Sequence, residues 1–436
     1  MRRYVIIGSG PAGIAAAEAI RSQDAQGEVL LVSDDPHGYY SRPGLAYYLT
    51  GEIPEELLFP FREADFQNLQ LRQVKARVVS ASPLEHLIQL HNGERIRYDR
   101  LLIATGAAAV RASIPGSELD GVVKLDTLED ARRILKAARK ARAAVVVGGG
   151  ITALELVEGL VARHVKTHYL LRGDRYWSNV LDETESRIVE QRLEEEGVKL
   201  HFHSEIALIS GKDNQVAGVR TRDGQQIACN LVAFAIGIMP RIELAEQAGL
   251  QVERGVLVDE YMQSSARDVF AAGDVAQVYD PISGRSILDS LWGLAREQGK
   301  TAGLNMAGMQ VAYIKPIAFN VTRLANLTTT IIGAIGGGRD GDLLGIARGD
   351  SETWRQMPDA IAAQADFDVN RIRLMVGDQT LLGAILMGDQ TLSQALQQLI
   401  LHQANISSIR QQLLHPDAPL GDILTNFWIE WKNKNA

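Results

Sequence analysis

The amino-acid sequence predicts an α/β fold with parallel sheets over roughly its first two thirds, followed by a C-terminal α+β unit. Three observations carry that expectation. The β-branched run Tyr4-Val5-Ile6-Ile7 leads directly into Gly8-Ser9-Gly10-Pro11-Ala12-Gly13 and then into a helix-like stretch, Ile14 to Ile20. The arrangement recurs 140 residues later, where Ala144-Val145-Val146-Val147 precedes Gly148-Gly149-Gly150-Ile151-Thr152-Ala153 and the stretch Leu154 to Leu160. Strand–helix alternation then continues to about residue 275. From about residue 310 it gives way to short runs such as Thr328-Thr329-Thr330-Ile331-Ile332, and then to helices from Leu392 to Leu414.

The glycine pattern has a physical reading. Between a strand and a helix, glycines permit a tight turn and let backbone N–H groups and a helix N-terminus meet a pyrophosphate. Two such sites in that context point to two dinucleotides, held by two Rossmann-like dinucleotide-binding domains, and to electron transfer between them. A third formal match, Gly336-Gly337-Gly338-Arg339-Asp340-Gly341, precedes Leu343-Leu344-Gly345-Ile346-Ala347. That stretch reads as a returning strand, so a hairpin turn is expected there.

The other elements follow in order. Val29 to Val32 is the second strand and ends in Ser33-Asp34-Asp35-Pro36; a loop with Tyr39-Tyr40-Ser41-Arg42-Pro43 comes next. Leu101 to Ala104 is a strand ending at Thr105-Gly106. Leu128 to Arg142 has the spacing of an amphipathic helix leading into the second fingerprint. Asp182 to Gly197 is a further helix, whose Glu and Arg residues read as a solvated face.

Composition removes several function classes. At 436 residues and 47.6 kDa the chain exceeds a single core. A hydrophobic fraction of 46% with 22% charged residues is that of an ordinary globular protein. The formal net charge of −8 gives no electrostatic basis for nucleic acid or an anionic membrane as partner. No apolar run approaches the roughly 18 residues of a membrane span. Met1-Arg2-Arg3 runs straight into the first strand with no room for a signal peptide, so a cytoplasmic location is expected. The one cysteine, Cys229, lies in Ile227-Ala228-Cys229-Asn230-Leu231-Val232 and reads as a small, partly buried strand residue. A lone thiol excludes a CxxC couple or an intramolecular disulfide.

The residue at the ribose end separates the two nucleotides. An acid that binds a ribose belongs about 20 residues past the first fingerprint, where Asp34 stands with Asp35 beside it. The alternative is a turn built on Asp-Asp-Pro. After the second fingerprint the same place reads Tyr169-Leu170-Leu171-Arg172-Gly173-Asp174-Arg175, without the carboxylate that selects a free 2′-OH. Arg172 and Arg175 could take a 2′-phosphate through forked hydrogen bonds. With Ala153 closing this fingerprint, NADP(H) is favoured over NAD(H). The alternative is that both arginines are solvated loop charges and NADH is used.

At this point the chain resembles the FAD-dependent pyridine-nucleotide reductases, two-dinucleotide-binding-domain flavoproteins related to disulfide reductases. The resemblance covers about residues 4 to 310. Leu102-Ile103-Ala104-Thr105-Gly106 is similar to the first motif connecting the FAD and nicotinamide domains. Phe234-Ala235-Ile236-Gly237-Ile238-Met239-Pro240-Arg241 is similar to the second. Asp268-Val269-Phe270-Ala271-Ala272-Gly273-Asp274 resembles the FAD motif, which implies that Asp274 binds the ribityl chain. Val78 falls where the family places a backbone contact to adenine. Tyr40-Ser41-Arg42-Pro43-Gly44-Leu45 resembles the ferredoxin/rubredoxin-reductase and nitrite-reductase flavin-subunit branch, which implies that Arg42 contacts the FAD phosphates or adenosine side. The segment from Leu291 to Gly299 is similar to the helix aimed at the flavin and puts Trp292 near the ring; a positive helix end there would favour the anionic reduced ring. The disulfide branches carry a redox cysteine where this chain has Pro43-Gly44-Leu45-Ala46-Tyr47-Tyr48. Ferredoxin-reductase relatives pair a lysine with a glutamate; Glu155 matches the glutamate, but Tyr47 replaces the lysine.

The resemblance divides the chain into an FAD-binding domain in two parts, residues 1–112 and 239–312. An NAD(P)-binding domain spans 113–238, and a C-terminal domain for the interface or dimerisation spans 313–436. It implies a homodimer and an FAD-dependent NAD(P)H oxidoreductase that passes electrons to an external acceptor such as a ferredoxin or rubredoxin-like protein. The chemistry would be carried by FAD, with no catalytic protein nucleophile or base and no metal. Alternatives are an NAD(P)H oxidase or quinone-type reductase, or a non-catalytic flavoprotein subunit. The aromatic segment Asn426-Phe427-Trp428-Ile429-Glu430-Trp431 feeds the last of these as an interface, against packing on the chain's own core.

Overall fold

The computed structural model describes residues 1–281, 283–336, 348–355, 360–367 and 370–435. Its first sheet is fully parallel, with strands in the spatial order Val269–Ala271, Arg100–Ile103, Arg3–Ile7, Glu28–Ser33, Leu71–Lys75. One strand thus comes from far along the chain and closes the sheet on its outer edge. Burial on both faces explains the near-continuous apolar character of Tyr4–Ile7 and Val29–Val32.

The second sheet is also parallel, in the order Lys199–His201, Lys166–Leu170, Ala143–Val147, Leu231–Phe234, Val122–Lys124. The two motifs that flank it in sequence pair with each other: Ala107–Ala109 and Ile238–Pro240 form an antiparallel two-stranded ribbon. Thr105 Oγ1 donates to the Arg241 carbonyl at 3.0 Å, fixing that crossing. The third sheet is antiparallel and lies wholly beyond Ala318: Phe319–Leu324, Leu327–Gly333, Leu381–Met387, Asn370–Val376, Ile361–Phe367.

Both fingerprints open helices, Pro11–Gln23 and Ile151–Val161. Helix Pro11–Gln23 packs backbone to backbone on helix Trp292–Met306. A Cβ on Gly299 would fall 2.1 Å from the Ala12 carbonyl oxygen, and one on Gly303 would fall 2.4 Å from that of Ala16. Glycine alone permits that approach. It brings the N-termini of two helices from distant parts of the sequence to one place.

Several local expectations shift. The helix expected over Leu128 to Arg142 ends at Ala138, because the next residues turn into the central strand of the second sheet. The stretch around Cys229 is not one strand: Gln226–Ala228 belongs to a small antiparallel sheet and Leu231–Phe234 to the parallel one. Cys229 sits between them, 3% exposed. Helix Glu183–Glu195 has Asp182 as its cap, and its acidic residues are not all solvated. Glu185 is fully buried and takes Arg373 Nε at 2.9 Å, while Arg371 Nη2 holds Asp182 at 2.9 Å. These pairs tie the third sheet to the second unit, and Trp177, set edge-on against Trp354 of the short helical turn Glu352–Arg355, adds a contact from the same C-terminal part. The region Leu392 to Leu414 forms two helices, Ser393–Leu401 and Arg410–Leu413. The C-terminal aromatics ride on a further helix, Leu420–Asn435, with Trp428 Nε1 donating to Gln398. Of the third glycine match only Gly336 is described; the expected hairpin and returning strand at 337–347 lie outside the described residues.

Candidate active site

The strand ends and helix starts of the first two units enclose a cavity of about 840 Å³, near the top of the ~300–1,000 Å³ range of small-molecule sites. Its floor is the first fingerprint. Gly8 has φ +116°, and a Cβ there would lie 2.1 Å from the Ala104 carbonyl oxygen, so the turn requires glycine. Gly13 is a packing position, its α-carbon pressed on the Gly8 carbonyl. Gly10 caps the helix, and added volume there meets no protein atom, so its backbone is open to the cavity. Pro11 and Ala12 line the wall beside it.

The predicted ribose acids separate. Asp34 is exposed on the cavity wall. Asp35 also lines the cavity but serves the loop: its carboxylate accepts from the His37 N–H at 3.0 Å and from the Tyr40 hydroxyl at 3.2 Å. Val78, Ala104, Thr105 and Gly106 line the same space, as do Gly273, Asp274 and Trp292. Gly273 N–H donates to Gln298 of the adjoining helix at 2.8 Å. Burial pushes the Asp274 carboxyl above its ordinary range, although Arg348 and Arg42 work in the opposite direction. Trp292 opens its helix and stacks on Tyr39 at 5.9 Å with an 18° interplanar angle.

Arg42 lines the cavity and joins a cluster that the motifs do not announce. Asp126, 3% exposed, faces four cations: Arg42 at 3.3 Å, Lys124 at 3.3 Å, Arg241 at 3.5 Å and Arg348 at 2.6 Å. Burial alone would raise its carboxyl; these four charges outweigh burial and hold it below the usual carboxylate range. Arg241 could have been found, since it ends the second connecting motif. Asp126 and Arg348 carry no motif signal.

The second fingerprint reaches the same cavity through Ile151, Thr152 and Glu155. Gly148 makes the tight turn, with φ +151° and the Ala235 carbonyl oxygen 2.2 Å from where a Cβ would lie. Gly150 caps the helix and Ala153 is fully buried against the turn. Neither lines the cavity wall, and nor do Gly148, Gly237, Arg172 or Arg175. Arg172 is exposed just past the strand Lys166–Leu170, and Arg175 pairs with Asp174 at 3.3 Å. Glu155 and Tyr47 are brought into one cavity, as their sequence match implies. Burial, then the neighbouring Glu158, pushes Glu155 up to about 8, so it is neutral at pH 7. Tyr47 instead lies under the Arg323 guanidinium, 5.3 Å from its ring centroid. Pro43 precedes helix Gly44–Thr50 on the cavity wall, and no thiol is near it. Burial pushes the Cys229 thiol up to about 12, in a separate apolar cluster.

A long groove with one open helix N-terminus, an exposed acid on one wall and a half-buried carboxyl on the other suits a dinucleotide such as FAD. The extension past Thr152 and Glu155 suits a second nucleotide. Among the described residues no group of three or more His, Cys, Asp or Glu could hold a metal ion. Among them also, no helix is long and apolar enough to cross a membrane.

Comparison with known proteins agrees with this geometry. The sequence profile of the pyridine nucleotide-disulphide oxidoreductases matches residues 2–299. The rubredoxin-NAD(+) reductase of Pseudomonas putida is 32% identical over 276 residues, 62% of this chain and 71% of that protein. Relatives of this kind are mostly named as NAD(+) reductases or NADH oxidases. Among solved structures, a ferredoxin reductase from Rhodopseudomonas palustris superposes with a TM-score of 0.85 at 21% identity, covering 97% of this chain and 99% of that one. An engineered water-forming NADPH oxidase, made from the NADH oxidase of Lactobacillus brevis, superposes with a TM-score of 0.81 at 19% identity over the full length of both. The chain therefore belongs to the pyridine nucleotide-disulphide oxidoreductase family, as a flavoprotein oxidoreductase working with a pyridine nucleotide.

Proposed function

We propose that this protein is an FAD-dependent NAD(P)H:acceptor oxidoreductase whose electrons leave to a small iron–sulfur protein of the ferredoxin or rubredoxin type. The observation that carries the reading is the single cavity, lined at one end by Gly10, Asp34 and Asp274 and at the other by Thr152 and Glu155. FAD in the first part would take a two-electron equivalent from the pyridine nucleotide and release electrons to the acceptor. The protein's part is placement: two helix N-termini for phosphates, Asp34 for the adenosine ribose, Asp274 for the ribityl chain, and Trp292 at the ring end. Neutral Glu155 adds no charge where the nicotinamide enters. The absence of a thiol near Pro43 directs electrons outward instead of to a protein disulfide.

In this reading FAD is bound by residues 1–112 and 239–312, the pyridine nucleotide by 113–238, and residues 313–436 form the face of a homodimer. The names of the relatives favour NADH, and they lend no support to the preference for NADPH drawn from the sequence. The ribose-end residues favour NADPH. The engineered NADPH oxidase acquired a glycine-to-alanine change and, 18 and 19 residues further on, lost an aspartate and gained an arginine. This chain has Ala153, Leu171 and Arg172 at that spacing. The phosphorylated nucleotide is the proposal argued from those residues.

Anaerobic mixing of the yellow holoprotein with NADPH or NADH tests the core reading: bleaching of the flavin band is expected. An FAD-loaded protein that neither nucleotide reduces refutes it. The Arg172→Ala variant is expected to lower kcat/KM for NADPH with little change for NADH; equal loss with both would assign NADH. Turnover with ferredoxin, rubredoxin, quinone and oxygen ranks the acceptors, and oxygen alone would make the protein an oxidase. Gel filtration tests the dimer.

A further inference from the structure

Arg348 belongs to the C-terminal part of the chain, far from every cofactor motif, yet its side chain stands on the wall of the cavity. Its Nη2 donates to Asp126 Oδ1 at 2.6 Å and to the Ala107 carbonyl at 3.2 Å. Its Nε is shielded from solvent and has no hydrogen-bond partner. The residues that follow are anchored beside the start of helix Trp292–Met306: Gly349 N–H donates to the Ser290 carbonyl, and Ser290 N–H to the Asp350 carbonyl, both at 2.9 Å. Glu352 accepts from the Leu288 N–H at 2.8 Å and pairs with Arg254. A chain tied down on that scale presents Arg348 at a fixed point.

The charges around it do not close. Lys124 is shared between Asp126 and Asp130, and Arg42 between Asp126 and Asp35. Among the described residues Arg241 and Arg348 ion-pair only with Asp126, and Asp274, the other carboxyl that faces them, is pushed towards its neutral form by burial, which leaves positive charge in surplus at the cavity wall. Burial and the neighbouring Arg42 and Arg241 disfavour the Arg348 cation as it stands. An anion entering from the cavity relieves both.

We infer that Arg348 is a ligand of the FAD diphosphate, positioned by Asp126 and the Ala107 carbonyl, so that the C-terminal unit completes the first nucleotide site. The inference rests on the assignment of that site to FAD.

The test is the dissociation constant of FAD from deflavinated wild-type protein and from Arg348→Met and Arg348→Lys, read by quenching of flavin fluorescence. Arg348→Met is expected to weaken FAD binding roughly ten- to a hundredfold, with Arg348→Lys recovering part of the loss. The unfolding temperature of the deflavinated protein should be the same in all three. Binding by Arg348→Met within twofold of wild type overturns the inference. So does a matching fall in the unfolding temperature of both deflavinated variants, which would mark a structural role. Midpoint potentials separate the remaining possibility: a more negative potential with unchanged FAD affinity would place the guanidinium at the reduced ring and overturn the diphosphate assignment. Wild-type protein that binds no FAD would instead refute the assignment of the site itself, independently of Arg348.

Discussion

Replacing Glu155 by glutamine tests the electrostatics of the nicotinamide end directly. The Glu155 carboxyl is pushed from 4.5 to about 8, first by burial and then by Glu158. A carboxyl raised in the folded state contributes stability that is fully present below its unfolded value, near 4.5, and is lost as pH rises through its folded value, near 8. At about 1.4 kcal/mol per pH unit the shift is worth roughly 5 kcal/mol. That is an upper bound, because the group faces a solvent-accessible cavity and Glu158, itself pushed up to about 7, titrates with it. Urea unfolding of wild type and Glu155→Gln, without pyridine nucleotide, at pH 5.5 and pH 8.5 measures it. The variant should gain at most ~3 kcal/mol on wild type between those two conditions, since about a third of the shift is already lost by pH 5.5. Parallel pH profiles for the two proteins would show that Glu155 ionises normally, and the reading of a neutral carboxyl at the nicotinamide end would fall.

Other consequences follow from packing. Gly299→Ala must push helix Trp292–Met306 off the Ala12 carbonyl, so loss of FAD retention and a lower melting temperature are expected; scanning calorimetry and the flavin-to-protein absorbance ratio check both. Arg373→Met takes from the fully buried Glu185 the cation that hydrogen-bonds it, leaving Arg371 at 4.0 Å, and should cost about 3 kcal/mol in chemical denaturation, as breaking a buried pair does. Cys229→Ala should keep full turnover, and the wild-type thiol should resist alkylation at pH 8 in the folded state, because burial holds it up to about 12. Labelling at the rate of a free thiol would contradict that burial.

Much of the lining of the proposed first nucleotide site was legible along the chain. Gly8, Gly10, Asp34, Arg42, Gly273 and Asp274 were all expected to bind the cofactor, and all line one cavity. Some are legible through local backbone geometry, with a positive φ at Gly8, a strand end before Asp34 and a turn at Gly273, and Arg42 and Asp274 through the resemblance. Asp35, the more turn-like of the two acids in the sequence, is engaged by Tyr40 and the His37 backbone, and the folded loop shows those partners. Asp126 and Arg348 had no sequence signal, since their meaning depends on a contact between residues more than 200 positions apart.

Local sequence therefore determined the pieces: strand–glycine–helix units, a parallel α/β frame, two glycine turns that open helices, and a single thiol. These follow from period, turn chemistry and residue count, which act over a few residues. Tertiary structure decided how the pieces meet. The strand Val269–Ala271 returned to the first sheet, the surroundings of Glu155 pushed its carboxyl up, and a C-terminal arginine was set on the cavity wall. Burial and long-range charge pairing depend on which distant segments share a space, and no local pattern encodes that.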